Sequence, residues 1–301
     1  MTRTQAPLPR NMWTRRELLD WTTQRFADVG VEQARGDAQH LLAHALGCSR
    51  IQLLVESDLV VGETDRGVFR ELIRRRLKRE PVAYIEGTRG FHALDLELGV
   101  DPRVLIPRPE TEHLVDWALE YLAENSLEDS AACHVLDVGT GSGAIALAIK
   151  HARPNTCVHA TDISVDALRV ARKNADRAGL DIHFTVSNLL DTVRAPPCGW
   201  SAIVANLPYI PHADLATLQP EVRDFEPRSA LDGGPDGLDL IRSLTREIAQ
   251  QRPLRPGGAL FLEIGVDQAA TVGELLRTDG LRDVETRRDL SGIERVVTGR
   301  Q

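Results

Sequence analysis

Asn206-Leu207-Pro208-Tyr209 is the segment of this chain whose residue types commit most clearly to one chemistry. It closes the apolar run 201–206, which reads as a buried strand. An Asn side-chain oxygen and a neighbouring backbone carbonyl both accept hydrogen bonds from a planar NH2 group, while a Tyr ring covers its face. Such a grip suits adenine, cytosine or an amide side chain and does not suit a cation. A second segment lies upstream, where Asp137 and Val138 lead into Gly139-Thr140-Gly141-Ser142-Gly143. Glycines there allow positive φ and let a ligand approach the backbone closely.

A glycine-rich turn between strand and helix is shared by several nucleotide-binding folds, so spacing has to separate them. The dinucleotide pattern is G-x-G-x-x-G; here the glycines fall as G-x-G-x-G after Asp137. A carboxylate at that point would repel a pyrophosphate and suits an amino acid ammonium. Asp162 ends the next strand candidate, close to the ~20-residue separation expected of an acid that holds ribose hydroxyls. Asn188 and Leu189 close the third strand, where a side chain can reach an adenine amine; the bland reading of Asn188 is a turn residue. S-adenosylmethionine satisfies all these positions, with NAD as the alternative.

These residues need elements to position them. Up to about residue 86 the pattern is helical. Thr14 and Glu17 have capping-box spacing before Leu18, Leu19, Trp21, Thr22 and Phe26. A second helix is expected over 31–46, stopping at Gly47, and a third over 65–79 with a basic run at 74–79. That run reads as a solvated face, against a docking surface for an acidic or RNA-rich partner. Over 84–107 the period changes to two, with Phe91, Leu94, Leu96, Leu98 and Val100 alternating, which predicts a β-hairpin bridge. A helix over 110–122 and a polar loop over 124–132 follow. Strands are then expected at 134–138, 157–161, 182–186, 202–205 and 259–264, with helices at 144–151, 165–178, 238–251 and 268–278. The stretches 283–288 and 294–298 look like a closing antiparallel pair. Such alternation predicts a parallel sheet covered on both faces.

The chain has 301 residues, of which 42% are hydrophobic and 27% charged, enough for a sizeable core. Its net charge of -8 disfavours a protein that works by neutralising phosphates. Four scattered cysteines, Cys48, Cys133, Cys157 and Cys198, form no C-x-x-C pair, so no metal site and a reducing compartment are expected. No apolar run reaches membrane-spanning length and the N-terminus has no signal-like core. A cytoplasmic protein is the expectation.

Taken together, residues 79–87, Phe91 and the blocks 105–112, 137–143, 206–209, 225–227, 262–265 and 289–295 resemble the bacterial release-factor glutamine N5-methyltransferases over nearly the whole chain. The block 105–112 is the most telling, since generic methyltransferases lack it. The resemblance implies an α/β fold: a Rossmann-like class I methyltransferase domain over 109–301, with a mostly parallel seven-stranded sheet and a C-terminal antiparallel hairpin. A helical substrate-docking domain (1–88) and a β-hairpin linker (89–108) would precede it. It also implies methylation of the glutamine in the Gly-Gly-Gln loop of peptide chain release factors, by a monomer without metal, membrane or direct nucleic-acid contact, releasing S-adenosylhomocysteine.

Carried onto this chain, Asp137, Gly139, Thr140, Gly141, Ser142, Gly143, Asp162, Asn188, Leu189 and Asn206 would bind or border the cofactor. Asn206, Leu207, Pro208 and Tyr209 would form the glutamine site, with Asn206, Pro208 and Tyr209 catalytic through positioning. Arg108 and Glu112 would border the pocket and hold the substrate loop, against the alternative of a local ion pair that caps the following helix. Two residues depart from the family pattern. Leu207 stands where the family usually has proline, which predicts a less preorganised loop. Asn188 stands where an acid is common, which removes charge assistance to the adenine amine. Asn-Leu-Pro-Tyr is also similar to the motif of ribosomal RNA adenine dimethyltransferases, so N6-adenine methylation of RNA or DNA is the alternative activity.

Overall fold

Helix signals placed early in the chain fold into a unit of their own. A computed structural model describes residues 12–92, 97–124 and 132–301, and the chain divides into the units Met1–Gly87 and Thr88–Gln301. The first unit contains β1 (Trp13–Thr14), α1 (Arg15–Asp28), α2 (Ala34–Leu46), α3 (Arg50–Val55), β2 (Val60–Val61), α4 (Glu63–Leu77) and α5 (Val82–Glu86). The Thr14–Glu17 capping box forms at the start of α1, and α2 stops at left-handed Gly47. A second capping box, Ser49 with Gln52, starts α3, a helix the sequence reading does not predict. The apolar stripes of α1, α2 and α4 meet in one core around Phe26, Leu41, Leu42 and Phe69.

The basic run at 74–79 is not simply a solvated face. Arg74 pairs with Glu71 and Arg75 with Glu80. Arg76 is buried against Asp37, its Nε 2.8 Å from the carboxylate, and Arg79 donates to the Val29 carbonyl. Much of the run therefore serves the unit's own packing.

The second unit begins with a hairpin of β3 (Thr88–Gly90) and β4 (Glu97–Gly99), paired antiparallel. It is much shorter than the period-two stretch suggests. Tyr84 belongs to helix α5, Leu94 and Leu96 lie outside the described residues, and residues 104–107 form no strand. Phe91, Val100, Val104 and Ile106 are nonetheless buried. Over 104–107 the alternation marks burial rather than strand, and Pro107 has no N–H to give to a ladder.

After the hairpin come α6 (Pro109–Glu124), β5 (His134–Val138), α7 (Ala144–Ala152), β6 (Cys157–Asp162), α8 (Val165–Ala178), β7 (His183–Val186) and β8 (Trp200–Ala205). They are followed by the short helix α9 (Pro220–Arg223), α10 (Asp239–Gln251), β9 (Leu254–Glu263), α11 (Ala269–Thr278), β10 (Arg282–Arg288) and β11 (Glu294–Arg300). The strand order is β10-β11-β9-β8-β5-β6-β7. From β9 to β7 the pairings are parallel, and the β9–β11 and β11–β10 pairings are antiparallel. Successive side chains along the central strands go to opposite faces. Val135, Val158, Ala202, Val204 and Phe261 pack under α6 and α7. Leu136, Ile203, Leu260 and Leu262 pack under α10 and α11. Burial on both faces explains why these strands read as continuous apolar runs. No helix among the described residues is long and apolar enough to cross a membrane.

Candidate active site

The carboxyl edge of the central strands gathers the glycine loop, Asp162 and residues 206–209, as expected for an open parallel sheet. The loop between β5 and α7 needs its glycines. Gly139 has φ +74° and Gly143 φ +87°, and a Cβ on Gly143 would stand 2.6 Å from Leu147 Cδ1. The Gly139 and Thr140 amides both donate to the Thr161 carbonyl, at 2.9 and 2.8 Å. Asp162 Oδ2 accepts the Gly141 N–H at 2.9 Å while Oδ1 accepts the Ser164 N–H at 2.8 Å. Burial raises the Asp162 pKa, and these N–H bonds oppose the rise. Buried Asn174, on α8, donates to both the Ser142 and Gly99 carbonyls and accepts the Gly99 N–H, clamping the hairpin to the loop. The sequence reading does not single it out; an Asn inside an amphipathic helix is the available signal.

Asp137 occupies a different place from the one its sequence position suggests. It is fully buried beneath the loop, where Oδ2 accepts from Thr140 Oγ1 at 2.6 Å and from the Ala146 N–H at 3.2 Å. Burial pushes its pKa to about 7. The same carboxyl thus fixes the loop and the first turn of α7, and it does not line the cavity. Its Oδ1 is buried without a hydrogen bond among the described residues.

Asn206 follows β8 directly and donates Nδ2 to Thr111 Oγ1 at 3.1 Å, which leaves Oδ1 as an acceptor. Thr111 is buried with its hydroxyl near Glu263, the last residue of β9, whose Oε2 is buried without a hydrogen bond among the described residues. The Tyr209 hydroxyl donates to Glu263 Oε1 at 3.3 Å. Burial pushes Glu263 up to about pH 7, against the pull of the Thr111 and Tyr209 hydroxyls, and burial also raises the Tyr209 pKa. The Glu263 carboxyl therefore bonds Tyr209 directly and neighbours Thr111, the partner of Asn206. The sequence reading assigns no role to Thr111 or Glu263, although a glutamate ending an otherwise apolar strand is itself an anomaly.

Leu207 is 4% exposed and packs beside Gly139 within the core that includes Leu189 and Leu238. Packing of its side chain, rather than a ring, holds this position in place. The Tyr209 carbonyl accepts from Gln268 Nε2 at 2.9 Å. Neither the Leu207 nor the Pro208 carbonyl has a hydrogen bond among the described residues.

Arg108 and Glu112 part company. Arg108 pairs with Glu226, whose other oxygen accepts the Ile106 N–H at 3.0 Å, and the Glu226 side chain is 1% exposed. Glu112 accepts the His92 N–H at 3.1 Å and does not line the cavity. The alternative of a local Arg108–Glu112 ion pair is therefore wrong: α6 starts immediately after Arg108, which a longer-range tie holds. Glu226 belongs to a block noticed in the sequence without a role.

Between these groups lies a cavity of about 330 Å3. Gly139, Thr140, Gly141, Ser142, Asp162, Asn188 and Leu189 line one part of it, and Asn206, Leu207, Pro208 and Arg108 another. Gly143 and Tyr209 stay outside the lining. Asn188 is exposed, and Leu189 takes the left-handed φ +47° that turns the chain at the rim. Bare loop backbone, a carboxylate after the second strand and apolar walls fit a nucleoside linked to an amino acid, as in S-adenosylmethionine.

Fold and site together define a class I methyltransferase. Residues 17–87 match the PrmC N-terminal domain and residues 111–221 the methyltransferase small domain. The release factor glutamine methyltransferase of Geobacter sulfurreducens is 42% identical over 292 residues, covering 96% of this chain and 97% of its own. That of Deinococcus radiodurans is 42% identical, covering 95% and 98%. This chain belongs to the release factor glutamine methyltransferase family. A solved catalytic domain of human METTL16, in complex with a MAT2A 3′UTR hairpin, shares the fold alone, with a TM-score of 0.54, 16% identity and coverage of 68% and 75%.

Proposed function

We propose that this chain methylates the side-chain amide nitrogen of the glutamine in the Gly-Gly-Gln loop of peptide chain release factors, and that residues 206–209 hold that glutamine. The observation that carries the reading is the Thr111 bond to Asn206 Nδ2, which presents Oδ1 as an acceptor at the cavity wall. Asn206 Oδ1 and the Leu207 or Pro208 carbonyl take the two amide hydrogens, and the Tyr209 ring covers the amide plane. S-adenosylmethionine, when bound, supplies an electrophilic methyl on a sulfonium. The glycine loop, Asp162, Asn188 and Leu189 hold it, and Asp137 acts from below by fixing the loop.

An amide nitrogen is a weak nucleophile, so alignment has to provide much of the rate. Apolar walls exclude water, which favours a step that disperses charge. Glu263 is placed to orient Thr111 and Tyr209 rather than to take a proton from substrate. Arg108 borders the substrate side, tied back by Glu226. The net charge of -8 supports a protein substrate over nucleic acid, a monomer is the working state, and no metal enters the reaction. The test is tandem mass spectrometry of a release factor after incubation with this protein and S-adenosylmethionine. One added methyl on the glutamine is expected; methylation of RNA in place of the release factor would overturn the reading.

A further inference from the structure

At the opposite edge of the sheet from the cavity, β5 and β6 begin, and their parallel register sets His134 beside Cys157 and Leu136 beside His159. Because β-strand side chains alternate, His134, Cys157 and His159 emerge on one face. One donor atom from each lies within 4.8 Å of the other two, and all three residues are partly buried. We propose that His134, Cys157 and His159 form a site for a borderline-soft divalent transition ion, with Zn2+ as the representative.

Three observations carry this. First, the donor set is two imidazoles and a thiol, the combination that such ions select over Mg2+ or Ca2+. Second, these side chains have no competing partners. None of the three side chains makes a hydrogen bond or ion pair among the described residues, and His134 Nδ1 is buried without one. A structural histidine of the ordinary kind ties its ring N–H to a carbonyl or carboxylate. Third, aromatic rings from the flanking strands pack around the cluster and fix its place. The cluster sits against Trp200, whose ring centroid is 4.9 Å from that of His159, and His183 lies 4.7 Å away on the other side.

Zn–N and Zn–S bonds of about 2.0–2.3 Å put tetrahedral ligand atoms roughly 3.5 Å apart, so closure takes side-chain shifts of about an ångström. Water fills the fourth position. Cys157 and His159 are two residues apart in sequence, and His134 comes from another strand. No C-x-x-C spacing announces such a site; only the strand register assembles it. Lying away from the cavity, the ion has no part in methyl transfer. It would pin the first residues of two central strands and stabilise the folded chain by mass action.

The full-length protein, stripped with chelator, is titrated with Zn2+ alone in a calorimeter and with Co2+ in a spectrophotometer. One equivalent of Zn2+, a higher melting temperature and a thiolate-to-cobalt charge-transfer band are expected. Cys157→Ser should abolish the band, and His159→Ala should weaken Zn2+ binding by on the order of tenfold or more. Methyl transfer should be unchanged in both variants. Absence of stoichiometric binding, absence of the band in the unaltered protein, or equal affinity in folded Cys157→Ser would each overturn the proposal. The cobalt spectrum of the unaltered protein carries the test even if a variant fails to fold.

Discussion

Asn206 gives its Nδ2 hydrogen to Thr111 Oγ1 at 3.1 Å, and this bond between the end of β8 and α6 leaves Oδ1 as the free end of the Asn206 amide. Turned the other way, the amide would present its NH2 end, a donor where the proposed grip on a glutamine amide calls for an acceptor.

Replacing Thr111 with Val keeps the shape and removes the bond. One hydrogen bond in a buried network contributes about 1–2 kcal/mol, so kcat should fall roughly five- to thirtyfold. Affinity for S-adenosylmethionine, measured by calorimetry, should stay within about twofold, since the loop at 139–143 is untouched. An unchanged kcat would remove Thr111 from the site.

Glu226 separates charge from geometry. Glu226→Gln keeps an acceptor for the Ile106 N–H, whereas Glu226→Ala strands that amide and releases Arg108. The Ala variant should lose about 1–3 kcal/mol in urea unfolding, more than the Gln variant loses. Similar losses in both would show that charge alone matters there.

Leu207 fills space beside Gly139, and its packing stands in for a proline ring. Leu207→Ala should cost about 2–5 kcal/mol by opening a cavity in the core. It should also weaken cofactor binding, because Gly139 loses the side chain packed against it. A variant as stable as the parent would mean that the motif is ordered some other way.

The two buried carboxyls set a pH dependence. Glu263 keeps its proton up to about pH 7 when folded, against an ordinary 4.5, and Asp137 up to about 7 against 3.8. Between those limits the folded state binds more protons than the unfolded state. Stability from these groups is therefore present below about pH 4 and lost as pH rises through about 7. Glu263→Gln should flatten that decline relative to the parent when unfolding free energy is followed from pH 5 to 8. Parallel curves would show that Glu263 is ionised in the fold.

Much of this was legible in the chain because it depends on local patterns. The β5–α7 turn announces itself by alternating glycines, and helix α8 begins and ends where the spacing predicts, at Val165 and Ala178. The misreadings came from long-range contacts. Arg108 finds Glu226 rather than Glu112, Asp137 turns inward to Thr140, and Leu207 is held by a glycine far away in sequence. Residues 84–107 misled for a related reason: burial of Phe91, Val100 and Ile106 imitates a strand's period outside the short β3–β4 pairing. Thr111 and Glu263 join only when α6 and β9 meet across the sheet edge.

The most direct measurement is the single-turnover rate of release-factor methylation at saturating S-adenosylmethionine, for the parent and for Asn206→Ala, with the methyl located by mass spectrometry. A rate lowered by on the order of 100-fold or more, with cofactor affinity nearly unchanged, is expected if Asn206 holds the glutamine amide. An Asn206→Ala enzyme that methylates the same glutamine at the parent's rate would contradict that role.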